Sequence, residues 1–220
     1  MENFVFQVVT NCPEPNLMEI TLQNSKTLHL YRAKALELFY HQGYYNTDLT
    51  DLCENLSLSE QAFEESFTSK EEFFIGISQN LILQRVLNLL IEPVAYKQNP
   101  FPLILDRLQQ ELEEAVENEL DNGFVLGNFI AEFNRRNPKI NKYLKDILKI
   151  WEINLTSLLR KGQLDGYLRR EVDCMAVANY IIASYMGTRT LMVEGNSRLL
   201  GDQYLQQLRH YFQSLSNSFG

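Results

Sequence analysis

The chain is poor in paired cysteines, in long apolar runs and, over its first third, in positive charge. Three cysteines in 220 residues, Cys12, Cys53 and Cys174, are widely spaced and odd in number. They form no CxxC pair and no disulfide framework, which excludes a stapled secreted scaffold and fits a reducing cytoplasm. The longest uncharged run of the C-terminal half, Cys174 to Thr188, is shorter than the roughly 18 apolar residues of a membrane span, so no membrane partner is expected. FVFQVV near the start is too short for the apolar core of a secretory signal and has no basic residue before it. No GxSxG, P-loop, dinucleotide fingerprint or HExxH occurs, and no catalytic constellation is visible. His29, His41 and His210 are scattered, with no cysteine or carboxylate at ligand spacing, so neither a metal nor another cofactor is expected. Residues 1–80 carry four basic side chains, Lys26, Arg32, Lys34 and Lys70, against twelve acidic ones. The net charge of −8 therefore sits wholly in that segment, and the remainder is balanced.

What is abundant is apolar residues, 45% of the chain, at helical spacing. Residues 1–24 read as a loose arm or edge strand broken by Pro13 and Pro15. From Lys26 the apolar positions Leu28, Tyr31, Ala35, Leu38 and Phe39 recur at three- and four-residue steps, and Gly43 ends that helix. Thr47 can cap a second short helix with Leu49, Leu52, Cys53 and Leu56 inside. Ser57 or Ser59 opens a third, with Phe63 and Phe67 on one face. Ser69 and Glu72 make a capping box for a fourth, which the pattern carries to about Ala95 before NPFP at 99–102. The expectation is an all-α chain: an arm at 1–24, a small helical head at 25–75 and a larger helical body at 76–220.

In the body, PLILDRLQQELEEAV and FVLGNFIAEF each give a helix. Asn137-Pro138 opens a long one running to about Lys161, and Gly162 and Gly166 punctuate the turn after it. Residues 172–194 and 199–216 give two more. CMAVANYIIASYMGT is apolar or small nearly all round, as in a helix covered on two sides. Ala176, Ala183 and Gly187 would let another helix approach closely. On the last helix Tyr204, Leu208, Tyr211 and Phe212 form a stripe. Two such helices per subunit, paired about a two-fold axis, make a four-helix interface, so a homodimer is expected; the bland alternative is that both helices complete the monomer core. Phe124, Asn128, Trp151, Asn154, Asn179 and Tyr180 offer aromatic walls and a few amides, which suit a small, mostly apolar ligand, although Trp151 and Tyr180 fit a plain core equally well.

The head segment ALELFYHQGYYNTDLTDLCENLSLSEQAFEESFTSKEEF resembles the N-terminal domain of TetR-family transcriptional regulators. The shared pattern is Ala35, Leu38-Phe39, Gly43-Tyr44, Thr47, Leu52 with a small residue after it, then Ser59, Phe63, Phe67 and Ser69-Lys70-Glu71. In the body, Gly123, Leu126, Gly127 and Asn128, then Gly162 and Leu164, are similar to short motifs of one branch of that family. The resemblance implies a three-helix helix-turn-helix domain joined to a larger helical ligand-binding and dimerisation domain. It further implies a homodimer on double-stranded DNA, a small-molecule cavity in each body, and a ligand that changes the spacing of the heads, as a ligand-responsive repressor needs.

The DNA-facing positions depart from the family pattern. Ser57 stands at the turn glycine, Glu60 and Gln61 follow the capping Ser59, and Glu64 replaces a phosphate-contacting tyrosine with Glu65 after it. Thr47, Ser59, Gln61, Glu64, Glu65 and Lys70 are the candidate DNA contacts. A glutamate about 6 Å from a phosphate costs on the order of 0.7 kcal/mol even at the dielectric of water. Three per head, six per dimer, sum to roughly 4 kcal/mol before screening, against a non-specific affinity that is itself an electrostatic term. Two readings stand: a DNA-binding regulator that tolerates an acidic reading helix, or the same fold acting as a ligand sensor or protein-interaction module through its acidic head.

Overall fold

The computed structural model describes residues 25–92, 97–117, 123–193 and 197–217. The arm expected at 1–24, and Cys12 with it, lies outside these. The described residues are helical apart from turns and one isolated antiparallel bridge, Leu168 to Ser216.

Helix α1 (Ser25–Gln42) turns Ala35, Leu36 and Phe39 inward and ends at Gly43, whose φ of +88° favours glycine. Helix α2 (Leu49–Leu56) buries Leu52, Cys53 and Leu56. Its cap is Asp48, not Thr47. The Asp48 carboxylate accepts from the Asp51 amide at 2.8 Å, and Asp51 returns the bond. Thr47 does not cap because it is buried and its hydroxyl donates to the Gly43 carbonyl at 2.8 Å. Helices α3 (Glu60–Ser66) and α4 (Lys70–Ile77) are opened by Ser59 and Ser69, whose hydroxyls accept from the Ala62 and Glu72 amides. Phe63 is buried against Phe67 and Phe73, with ring centroids 4.9 and 5.4 Å away.

Helix α4 runs through a wide π turn, Ser78–Ile82, into α5 (Leu83–Leu89), so the helical path crosses residue 75 without a linker. It ends at Leu89 rather than near Ala95. Leu90 is extended, with ψ 141°, and the Asn154 side chain holds both the amide and the carbonyl of Ile91, at 3.1 and 3.0 Å. The backbone there is paired to a side chain instead of to the next helical turn.

The body consists of α6 (Pro100–Glu117), α7 (Val125–Phe133), α8 (Pro138–Leu164), α9 (Cys174–Met192) and α10 (Ser197–Leu215). Helix α8 is the axis, in contact with α5, α6, α7 and α9, while α10 covers α6 and α9. It continues to Leu164, through Gly162, where the sequence pattern predicts a turn. A Cβ on Gly162 would stand 2.5 Å from Pro100 Cγ, so this glycine admits the start of α6 and breaks no helix. The turn comes at Gly166, with φ +90°, and Asn217 pins it by donating to the Gly166 and Leu168 carbonyls.

Head and body share one core. Phe74 of α4 packs on Phe39 and Tyr44 of the head and on Phe129 and Phe133 of α7, with ring centroids 4.9–5.6 Å apart. Tilted and edge-on ring pairs of this kind add about 0.5–1.5 kcal/mol each beyond area burial. Helix α7 is thereby a strut fastened to the head.

Candidate nucleic-acid interface and ligand-binding site

Helices α2 and α3 and the turn between them form the helix-turn-helix. Ser57 occupies the turn in the left-handed region, φ 58°, which costs an L residue about 1–2 kcal/mol relative to glycine. With Phe63 fixed inside, the outer face of α3 presents Ser59, Glu60, Gln61, Glu64 and Glu65, all exposed. Thr50 donates to Glu60 Oε1 and Gln61 donates to Glu65 Oε1, each at 2.8 Å. None of the three glutamates forms an ion pair among the described residues.

Two of the candidate DNA contacts are engaged inside the head. The Lys70 ammonium donates to the Tyr44 and Thr47 carbonyls and lies 4.1 Å from the Tyr44 ring centroid. Burial lowers its pKa from the ordinary lysine value, although Glu132, Asp48 and Asp51 act the other way. Lys70 therefore closes the α1–α2 turn. The edge of the head beside it is covered by the turn between α7 and α8. Glu132 accepts from the Tyr45 amide at 3.0 Å, Asn137 donates to Glu71 at 2.5 Å, and Lys139 pairs with Glu71 and Glu72. The Arg136 guanidinium lies 5.2 Å from the Tyr45 ring centroid. The fold thus delivers basic residues of the body to the flank of the acidic head.

In the body, Phe124, Trp151 and Tyr185 are buried and meet one another at 5.4–5.7 Å between ring centroids. Asn128 is half-buried one turn along α7 from Phe124. Of the six candidate pocket residues, the structure brings these three (Phe124, Asn128 and Trp151) into one region. Asn154 instead clamps Ile91, and Asn179 and Tyr180 are exposed on α9. Sequence reasoning missed Tyr40, Tyr185 and Arg189. Gly123, with φ +95°, presents its carbonyl to the Tyr40 hydroxyl at 2.5 Å and to Arg189 Nη2 at 3.1 Å, while Arg189 Nη1 donates to the Tyr185 hydroxyl at 3.0 Å. One carbonyl thus joins α1 of the head, the start of α7 and α9. Arg189 left a signal, since it is the single charge within the otherwise uncharged α9.

A separate open cleft of about 610 Å³ lies between the end of α5 and α6, lined by Leu87, Leu90, Ile91, Arg107, Glu111 and Glu114 among others. Burial, and then the neighbouring Glu114, raise the pKa of the Glu111 carboxyl. None of the six candidate pocket residues lines this cleft. No group of His, Cys, Asp and Glu among the described residues could hold a metal, and no helix of the described residues is long and apolar enough to cross a membrane.

Of the candidate interface residues, Ala176, Ala183 and Gly187 lie exposed on the outer face of α9, and nothing stands within 4 Å of a Cβ built on Gly187. Tyr180 shares that face, 49% exposed, and rests on Tyr211 of α10 with ring centroids 4.6 Å apart. The α10 stripe divides. Tyr204 and Tyr211 are half-buried, whereas Leu208 and Phe212 are buried within the protomer, Phe212 stacked on Phe101 at 4.4 Å. Leu208 and Phe212 belong to the monomer core because α10 packs on α6 as well as on α9.

Two family models match this chain. Residues 32–77 match the bacterial regulatory proteins of the tetR family, and residues 104–210 match the tetracyclin repressor-like C-terminal domain. The chain belongs to the TetR family of transcriptional regulators. Its TetR-family relatives include the HTH-type transcriptional repressor DhaR of Mycobacterium sp. (strain GP1), 26% identical over 179 residues, which are 78% of this chain and 85% of that protein. A TetR-family regulator from Cytophaga hutchinsonii superposes with a TM-score of 0.72 at 18% identity, covering 87% of this chain and 95% of that one. Reduced E. coli NemR gives a TM-score of 0.72 at 17% identity, covering 88% and 98%. The TetR fold accounts for the division of the molecule into a helix-turn-helix head and a helical body.

Proposed function

We propose that this TetR-family regulator acts as a homodimer, paired through the outer face of α9, that holds operator DNA with its two heads and releases it when a small, mostly apolar ligand enters the body beside Phe124 and Trp151. The observation that carries this reading is the Gly123 carbonyl shared by Tyr40 and Arg189. A ligand that displaces Phe124 moves the adjoining Gly123, and with it a hydrogen bond to the head and another to the pairing helix. Such a ligand needs a different affinity for the two head positions, because only that difference shifts their populations. DhaR, a repressor by name, supports repression as the mode.

The test is fluorescence anisotropy of the purified protein against a duplex from its own upstream region, at about 50 and 200 mM salt, with light scattering for the oligomeric state. A dimer binding at micromolar concentration or tighter, and more weakly at the higher salt, is the expected result. A folded dimer that binds at neither salt removes the operator reading and leaves the acidic head as a protein-interaction surface. The triple substitution Glu60→Lys, Glu64→Tyr and Glu65→His then tests whether those side chains are the cause.

A further inference from the structure

The acidic reading helix leaves open where a DNA-binding head finds its attraction for phosphate. Within the head, Lys70 is turned onto carbonyls, Arg32 is half-buried, and the exposed basic residues are Lys26 and Lys34, both on α1 rather than on the reading helix. The strongest concentration of positive charge lies in the body, directly beside the head. Residues 135–149 contain Arg135, Arg136, Lys139, Lys142, Lys145 and Lys149 against the single acid Asp146.

The start of this segment is fixed against the head. The turn from Asn134 to Lys139 reaches Tyr45, three residues before the α2 cap, and Glu71 and Glu72 at the start of α4. In a helix-turn-helix the first helix of the motif crosses the duplex backbone while the second enters the groove. The edge of the head that opens α2 is therefore the edge that flanks phosphates. Lys139 is paired with Glu71 and Glu72, but Arg135 and Arg136 are exposed and have no ion pair among the described residues.

Arg135 carries a second, independent sign. Helix α7 ends at Phe133 with Asn134 as its cap, and Arg135 follows in the left-handed region at φ 64°. The Arg136 and Asn137 amides both return to the Phe133 carbonyl at 3.1 Å, and with Asn134 at φ −57° and ψ 122° residues 133–136 form a type II turn, which ordinarily employs glycine or asparagine at the position of Arg135. An arginine held there against local preference is the kind of conflict found where a side chain serves something other than the fold.

We propose that Arg135 and Arg136 form a DNA-backbone contact site outside the helix-turn-helix, through which the body supplies the phosphate attraction that the acidic α3 lacks. The ligand class is duplex phosphate, bound without regard to base sequence, so these residues contribute affinity and no specificity. The inference rests on the DNA-binding reading above.

The backbone offers an unusually clean test, because Arg135→Gly removes the charge while relaxing the left-handed position. Full-length wild type, Arg135→Gly, the double variant Arg135→Gly/Arg136→Gln and a charge-matched control, Arg169→Gln/Arg170→Gln at the distant α8–α9 turn, are titrated against mixed-sequence duplex and against the upstream duplex over a salt series. The expected result is weaker binding of the double variant to both duplexes, with a plot of log K against log salt shallower by about 0.9 for each phosphate that the variant no longer neutralises. The control keeps the wild-type affinity and slope, and Arg135→Gly melts no lower than wild type. A double variant with wild-type slope and affinity overturns the proposal while leaving the operator reading intact, and so does a control that weakens as much as the double variant. A wild type that binds neither duplex removes the operator reading, and this proposal falls with it.

Discussion

One short stretch of the head, residues 44–74, supplies both its side of the seam with the body and the outer face of α3, yet the two surfaces follow opposite rules. At the seam every aromatic is matched: Tyr44 meets Phe74 and Phe133, and Phe74 meets Phe129, at 4.8–5.2 Å. On α3 three glutamates face solvent with no cation opposite them among the described residues. Packing tolerates little substitution, whereas a solvated helix face tolerates nearly any, so the family pattern persists where residues touch and fades where they do not. A head can thus keep a helix-turn-helix and change its surface charge independently.

Three perturbations sharpen that contrast. The largest effect is expected from Phe74→Ala, which empties the centre of the shared core. Replacing a buried phenylalanine by alanine costs about 3–5 kcal/mol, and here the loss falls on head and body together. Urea unfolding followed by head and body probes should show a single transition at a lower midpoint. Two separated transitions would mean that the seam is weaker than its ring contacts suggest.

An intermediate effect is expected at alkaline pH. Burial, and then the charge of Glu71, push the Tyr44 hydroxyl up to about 12, from an unfolded value near 10. Because the folded pKa is the higher, the contribution is complete below pH 10 and is lost as pH rises through about 12. Burial raises the Tyr204 hydroxyl as well, in the same direction. Denaturant midpoints measured from pH 9 upward should fall, and Tyr44→Phe should make the fall shallower. A Tyr44→Phe profile parallel to wild type would place the alkaline loss elsewhere.

The smallest effect is expected from Ser57→Gly, which touches the head surface alone. Relief of the left-handed strain, offset by the greater freedom of glycine in the unfolded chain, should raise stability by up to about 1 kcal/mol. A destabilised Ser57→Gly would show that the serine side chain contributes something in the folded turn.

Helix α1, the cap Ser69 and the start of α8 at Asn137-Pro138 were legible in the sequence, since each rests on spacing or on a residue within four positions, whereas for α3 the pattern offered Ser57 or Ser59 and the structure selects Ser59. Gly162 was misleading for a physical reason. A glycine that opens a turn and one that admits a neighbouring proline look alike until Pro100 is placed against it. Asn154, which reads as a polar wall for a ligand, serves the backbone of Ile91, a partner 63 residues away that no local pattern indicates. Tyr180 reads as a pocket residue and lies on the outer face of α9, because an apolar helix does not state which of its sides the protomer covers.

By itself, the sequence determined the helical class, the head with its buried aromatic positions, and the charge imbalance of the first third. These depend on periodicity, capping and composition, which act over a few residues. The tertiary structure alone decided that Lys70 closes a turn instead of facing outward and that Gly123 is shared by Tyr40 and Arg189. It also decided that Arg135 and Arg136 stand beside an acidic head more than sixty residues earlier in the chain. Those relations join side chains to partners remote in sequence, and only the packing of α7 and α8 against the head brings them within reach.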